Sequence, residues 1–320
     1  MTSAGANAGR VVVVGSANTD MVLRVERRPE AGETVSGSDF QMVAGGKGAN
    51  QAVAAARAGA EVTFIGAVGD DAMGEAACRG LRDEGIDVSA VAVLGEAASG
   101  VALILVEPSG ENSIALGPGA NAHVTPTHIE AHRDRIAAAD VVLVQLEIPL
   151  ETVFATAALA QSTGAKLILD PAPAVPLPSS LYRLISVLKP NAREAQLLSG
   201  VPVHDGPSAE QAARVLVDKG CGSVLVTLGA DGAIWDRNSE VLRCPSEVPK
   251  VVDTTGAGDA FAGHLGAVLA RGATAEDALR WATVAAGLSV TRMGAQAGVP
   301  NRAQLEATLK ETGLSGEAEA

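Results

Sequence analysis

The feature that most constrains this chain is Val11-Val-Val-Val14, a wholly β-branched run closed by Gly15. Such a run leaves no polar face, so a strand made from it must be buried on both sides, as in a parallel sheet. Comparable short runs recur at Val62–Ile65, Val141–Leu146, Lys166–Leu169, Val187–Leu188 and Val224–Thr227. Ala-rich stretches of helical character separate them, at Ala49–Ala58, Ala72–Glu84, Pro126–Ala138, Leu150–Thr163, Ala192–Leu198 and Ala209–Lys219. Thr125-Pro126 supplies a hydroxyl N-cap followed by proline at the first helical position. This alternation predicts an α/β fold: a central, mostly parallel sheet flanked by helices on both faces.

Two segments interrupt the rhythm. Met21–Val43 and Gly100–Leu116 hold extended stretches with no helix, among them Met21–Val25, Thr34-Val35, Val101–Val106 and Ser113–Leu116. Glu107-Pro-Ser-Gly110 reads as a hairpin turn. Together these insertions, at about 20–44 and 97–117, predict a small β-sheet lid over the crevice at the strands' carboxyl ends. The last third is helical, Ala260–Ala270 and Ala275–Thr291, then Arg302–Lys310. The expected organisation is a single domain across 1–320, with a disordered tail at 313–320.

Composition excludes several functions. Apolar residues form 47% of the chain and charged residues 19%, too apolar for a disordered protein. A net charge of −13 and a total of 4 Phe, 2 Trp and 1 Tyr argue against a nucleic-acid partner, which needs basic patches and stacking platforms. The apolar run Ile136–Leu146 is broken by Asp140 and falls short of the ~20 residues a membrane span needs. Cys78, Cys221 and Cys244 lie far apart, as indifferent thiols of a reducing compartment do. The first ten residues lack a basic start and apolar stretch, so a cytoplasmic location is expected.

Chemistry-bearing residues cluster after strands and before helices. Gly15-Ser-Ala-Asn18-Thr-Asp20 closes the first strand without the dinucleotide fingerprint GxGxxG. Asn18 and Asp20 suit hydroxyl groups, or simply a turn. Gly45-Gly46-Lys47-Gly48-Ala49-Asn50-Gln51 lets a ligand approach the backbone. It is no Walker A loop, since Gly rather than Ser or Thr follows Lys47. Asp253-Thr254-Thr255-Gly256-Ala257-Gly258-Asp259 leads into a helix whose first-turn N–H groups would cradle an anion. Asp259 there is either a base for a hydroxyl proton or a helix cap. Lys189-Pro190-Asn191-Ala192-Arg193-Glu194 reads as a capping box as readily as a site. Thr227-Leu228-Gly229-Ala230-Asp231-Gly232 suits a nucleotide's phosphates or a hairpin. Glu147 is a further carboxylate at a strand's end. His128 and His132 lack a third ligand and the HExxH pattern for zinc, and no GxSxG hydrolase elbow occurs.

In their order, these motifs resemble the ribokinase-like carbohydrate kinases (the PfkB family) over roughly residues 10–310. The resemblance implies Mg²⁺·ATP-dependent transfer of phosphate to the 5-hydroxyl of D-ribose. It implies that Asn18, Asp20, Gly46, Lys47, Asn50 and Glu147 hold the sugar and that Asp259 is the base, with Gly256, Ala257 and Gly258 forming the anion hole. Asn191 and Glu194 match an Asn-x-x-Glu element that organises Mg²⁺ through water. Thr227, Gly229, Gly232, Gly258 and Thr283 would lie along the ATP. The lid would also join two subunits of a homodimer. A K⁺ site would draw on Asp253, Thr255, Ser289, Arg292, Gly294 and Gly298. Gly298 departs from the Ser often found in the family and offers no hydroxyl, so water would replace that ligand.

The physics of the motif adds an expectation: a base at a helix N-terminus has its pKa pulled down by the dipole. Rival readings are a 2-deoxyribokinase or another sugar kinase of the family, and a non-catalytic sugar-binding regulator. Lys47 favours a pentose, and Phe40 as the lid's sole Phe argues against a stacked nucleoside.

Overall fold

Val11 and Val13 face one hydrophobic cluster, and Val12 and Val14 face another. That division follows from the two-residue period of a strand and places a core on each side of the sheet. In the computed structural model, which describes residues 8–238, 240–246 and 250–311, the strand is β1 (Arg10–Val14). It is followed by β2 (Asn18–Val25), β3 (Gly37–Gly45), β4 (Glu61–Gly69), β5 (Asp87–Leu94), β6 (Gly100–Val106) and β7 (Asn112–Gly117). Then come β8 (Val141–Gln145), β9 (Lys166–Asp170), β10 (Val187–Leu188), β11 (Val224–Thr227), β12 (Ala233–Asp236) and β13 (Val241–Cys244).

The main sheet has the order β13-β12-β11-β10-β9-β8-β1-β4-β5. It is parallel from β11 to β5, with β12 and β13 added antiparallel. Helices Lys47–Arg57, Ala72–Asp83, Ala257–Ala270 and Ala275–Ser289 contribute to the Val11/Val13 core. Helices Leu150–Thr163, Ala192–Ser199 and Gly206–Asp218 contribute to the other. The chain winds from β1 outward through β4 in one direction and from β8 through β9 in the other. The switch therefore lies between β1 and β8, and a crevice opens at the carboxyl ends there. The small sheet, β3-β2-β6-β7, is the expected lid, and Gly110 (φ +86°) closes its β6–β7 turn with an N–H bond to the Glu107 carbonyl.

Four details differ from the sequence reading. Thr34-Val35 is not a strand; the lid strand is Gly37–Gly45, exposed everywhere except Gly45. A strand with solvent on both sides has no apolar alternation to betray it. Second, β5 and the β12–β13 pair extend the sheet at its two edges. Third, Pro126–Ala138 divides at His132 into helices Pro126–Ala131 and Arg133–Ala137, with Ile129 and Ile136 filling the same core. Fourth, of the two readings of the Gly229 region the hairpin is formed, as the connection between β11 and β12. The expected disordered tail at 313–320 lies outside the described residues.

Candidate active site

Glu147, just beyond β8, ties the switch point together. Its Oε2 accepts the Ser16 hydroxyl, the Lys47 N–H at 3.1 Å and the Asn18 amide at 3.5 Å. Asn121 donates to Asn18 Oδ1 at 2.8 Å and accepts the Ala17 N–H at 3.0 Å, fixing the β1–β2 turn. Gly46 (φ +90°) takes a left-handed conformation, and a Cβ there would stand 2.6 Å from the Asn18 nitrogen. A Cβ on Gly45 would collide with the Asp20 carboxylate. These glycines let the loop seat directly on β2, bringing Lys47 and Asn50 beside Asn18 and Asp20.

Asp259 is buried in the first turn of helix Ala257–Ala270. Its carboxylate accepts Asn50 Nδ2 at 3.0 Å and Gln51 Nε2 at 3.1 Å. Gly256 (φ +76°) is the N-cap residue and no side chain caps that helix end, so the capping role considered for Asp259 is overturned. Burial raises the Asp259 pKa above the ordinary carboxylate value; Lys47 opposes the shift and Asp170 adds to it. The lowered pKa expected from the helix dipole is thus also overturned, because desolvation in a closed site outweighs a terminal dipole. Beside it, Ala257 N–H bonds weakly to the Thr254 carbonyl at 3.3 Å, while Gly258 N–H has no backbone acceptor among the described residues.

The electrostatics are dominated by carboxylates. Burial, then Glu147 and Asp259, raise the Asp20 pKa to about 6. Burial also raises that of Glu194, with Asp170 reinforcing it. Burial works against the Lys47 charge, but Asp259, Asp170, Glu147 and Glu194 outweigh it and hold the ammonium above its ordinary pKa.

A cleft of about 610 Å³ runs from Lys47, Asp259 and Gly256–Gly258 past Asn191 and Glu194 to Thr227, Gly229, Gly232 and Thr283. Val251, Ala286 and Val290 give it an apolar wall. Asn18, Asp20, Gly46, Asn50 and Glu147 do not line that cleft; they connect to it through the Lys47 N–H on Glu147 and the Asn50 amide on Asp259. Asn191 and Glu194 do form the reciprocal capping box, Asn191 N–H to Glu194 Oε2 at 2.8 Å and Glu194 N–H to Asn191 Oδ1 at 2.9 Å. The cap holds Glu194 against the cleft and occupies only one of its carboxylate oxygens. Thr283 spends its hydroxyl on the Leu279 carbonyl at 2.9 Å and serves the cleft as wall.

The loop residues Asp253 and Thr255 meet the segment after Ser289. Asp253 accepts the Thr255 N–H and hydroxyl at 2.9 and 2.7 Å and the Gly294 N–H at 2.8 Å. Despite partial burial, these bonds and Arg24 hold its pKa below the usual range. A Cβ on Gly298 would stand 2.5 Å from the Ser289 carbonyl oxygen and 3.1 Å from that of Gly294. Two carbonyls therefore converge where a serine side chain would not fit. Arg292 is exposed.

The profile of the pfkB family carbohydrate kinases matches residues 8–302. The chain belongs to that family. It is 41% identical over 292 residues to the ribokinase of Haemophilus influenzae, covering 91% of this chain and 95% of that one. A structure of Arabidopsis thaliana ribokinase complexed with ribose and ATP superposes with a TM-score of 0.90 at 34% identity, covering 95% and 99% of the two chains. A deoxyribokinase of Salmonella typhi is 35% identical over 292 residues, covering 91% and 95%.

In this carbohydrate kinase the sequence reading gave no role to four side chains, two of which, Gln51 and Lys189, stand within its motifs. Gln51 donates to both Asp259 and Asp170 and accepts from Gln145 at 2.6 Å. Asn121 fixes Asn18. Asp170 and Lys189 form an ion pair at 3.3 Å, both almost wholly buried. Each of the pair ends or follows a parallel strand, the same signal that singled out Glu147.

Proposed function

We infer that this kinase transfers the γ-phosphoryl group of ATP to the 5-hydroxyl of D-ribose, giving D-ribose 5-phosphate and ADP. The observation that carries the reading is the position of Asp259: buried, bonded to Asn50 and Gln51, and lining the cleft in the first turn of a helix whose N-terminus has no side-chain cap. Asn18, Asp20, Gly46, Lys47, Asn50 and Glu147 would hold the sugar. Asp259, steadied by Asn50 and Gln51, takes the O5 proton as the O5–P bond forms; its raised pKa makes it a better base. Gly256, Ala257 and Gly258 would form the anion hole, where fixed dipoles match the charge of the moving phosphoryl group. The apolar wall of Val251, Ala286 and Val290 suits a flat base, with Thr227, Gly229, Gly232 and Thr283 along the nucleotide.

ATP is used with Mg²⁺, which supplies charge neutralisation across the β- and γ-phosphates when bound. Glu194 and Asn191 would hold its water shell, a fit supported by the Glu194 oxygen left outside the cap. For K⁺ the donor set is apt: the converging Ser289 and Gly294 carbonyls, with Asp253 and Thr255 shaping the loop beside the cradle. Arg292 and Gly298 would contribute through backbone carbonyls at most. The lid would join two copies in a homodimer. A reducing cytoplasm suits the buried thiols Cys78 and Cys221; no helix among the described residues is long and apolar enough to cross a membrane.

The deciding experiment is kcat/KM for ribose, 2-deoxyribose and fructose with saturating Mg²⁺·ATP and K⁺. Ribose should lead, because a site built to bond a hydroxyl is left with unpaired groups when it is missing, worth up to ~10⁴ in selectivity. The likeness to a deoxyribokinase favours the second reading, and 2-deoxyribose equalling ribose would establish it.

A further inference from the structure

Burying a lysine is costly unless its charge is matched and its donors are used. Lys189 pairs with Asp170 Oδ2 at 3.3 Å and donates to the Gly258 carbonyl at 3.1 Å. An ammonium has three N–H donors, so those two contacts leave one. Lys189 lines the cleft, and a Cβ on Gly258 would stand 3.4 Å from Nζ. The remaining donor is left for the cleft, which Lys189 lines together with Gly256, Ala257 and Gly258. Asp170 does not depend on Lys189 alone, since Gln51 Nε2 donates to the same oxygen at 2.9 Å. The surroundings hold Asp20, Glu147, Asp170, Glu194 and Asp259 against Lys47 and Lys189, a poor setting for an incoming triphosphate without a cation aimed at it.

We propose that Lys189 is a catalytic residue, a fixed ammonium that contacts an oxygen of the γ-phosphoryl group, held at the cradle by Asp170 and the Gly258 carbonyl. The proposal rests on the phosphoryl-transfer reading above. As the O5–P bond forms and the P–O bond to ADP breaks, the O5 proton goes to Asp259. Lys189 keeps its protons throughout and supplies charge alone, as point-charge lysines do at phosphates.

The test separates this role from that of a counter-ion for Asp170. Lys189→Met should lower kcat on the order of 10²–10³-fold, with the ribose KM little changed. In calorimetry with Mg²⁺, affinity for the β,γ-imido analogue of ATP should fall about tenfold or more, the worth of one charged hydrogen bond. Affinity for ADP, which lacks the γ-phosphate, should hold. The double variant Asp170→Asn/Lys189→Met removes both charges and should recover melting temperature but not kcat. Equal weakening of the analogue and ADP, or recovery of half the wild-type kcat in the double variant, overturns the proposal. Wild-type enzyme that turns over none of the three sugars would overturn the ribose reading instead, and the analogue–ADP contrast would still decide Lys189.

Discussion

The two sheets use similar residues to opposite ends. In the main sheet every valine from Val11 to Val14 is buried, because helices cover both faces. In the lid, register places Met21 between Met42 and Leu103, and Leu23 between Phe40 and Leu105. Phe40, Met42 and Leu103 are each more than half exposed on that face; Ile114 and Leu116 are bared on the face shared with Asp20. The main sheet is thus completed by its own helices, whereas the lid offers apolar surface that nothing among the described residues covers. Substrate on the Asp20 side and a second copy on the other are the occupants that the proposed function would supply for this bare area. The difference suggests that chemistry resides with the finished sheet and closure with the unfinished one.

The largest test of that division is Asp259→Asn. Removing one general base costs ~10²–10⁴ in rate, and nucleotide binding should survive because the cradle is backbone. Wild-type kcat should also fall on acidification at a higher pH than an ordinary carboxylate would give, since the Asp259 pKa is raised. A variant keeping half the wild-type kcat would remove the chemistry from the main sheet.

Next in size is the lid. Met42→Asp/Leu103→Asp puts charge on the bare face opposite Asp20, away from the proposed sugar-binding side chains. Light scattering should report a monomer, and the ribose KM should rise about tenfold for want of a firmly held cover, while kcat at saturation changes less. Wild-type protein that is monomeric at micromolar concentration and fully active would dissolve the distinction between the sheets.

The same contrast explains what could be read from the chain alone. Main-sheet strands were legible because burial on both faces leaves solid apolar runs such as Val11–Val14. Strand β3 was not, because neither of its faces is buried. Within the site, residues beside glycine turns declared themselves through backbone constraint: Gly46, Gly256 and their neighbours. Asp170 and Lys189 did not, since each is a polar residue at a strand's end with no role in any motif until folding places them 3.3 Å apart. The direction of the Asp259 pKa was out of reach for the same reason. A dipole is visible in a motif; desolvation by distant elements is not.

A smaller effect is expected from K⁺ at the loop joining Asp253 to Gly294, next to the cradle but not part of it. An ion there would order the N–H groups of Ala257 and Gly258 and strengthen the field on the phosphoryl group. Exchange of K⁺ for a bulky organic cation, after exhaustive dialysis, should lower kcat several-fold, roughly the worth of one partly screened charge. Equal rates in both salts would leave the converging carbonyls with a structural role only.

The smallest effect lies where the two sheets meet. Asp20 belongs to lid strand β2 yet is buried near Glu147 and Asp259, and among the described residues no group hydrogen-bonds its carboxylate. Its pKa is raised from 3.8 to about 6. A raised carboxylate favours the folded state below its unfolded pKa, and that contribution is lost as pH rises through the folded value. Above pH 6 the folded protein therefore carries a disfavoured charge, costing at most about 3 kcal/mol. Asp20→Asn should raise the melting temperature at pH 7.5 by a few degrees, roughly in line with that free energy for a chain of this length. The gain should vanish near pH 4, where Asp20 is largely protonated in the folded protein. Ribose binding should weaken in the same variant, because an amide replaces an acceptor that the sugar hydroxyls would use. Thermal melts across that pH range, with the ribose KM measured alongside, decide the matter. An equal gain at pH 4 and pH 7.5 would mean that packing rather than charge sets the cost. An unchanged ribose KM would place Asp20 with the lid's architecture and not with the substrate.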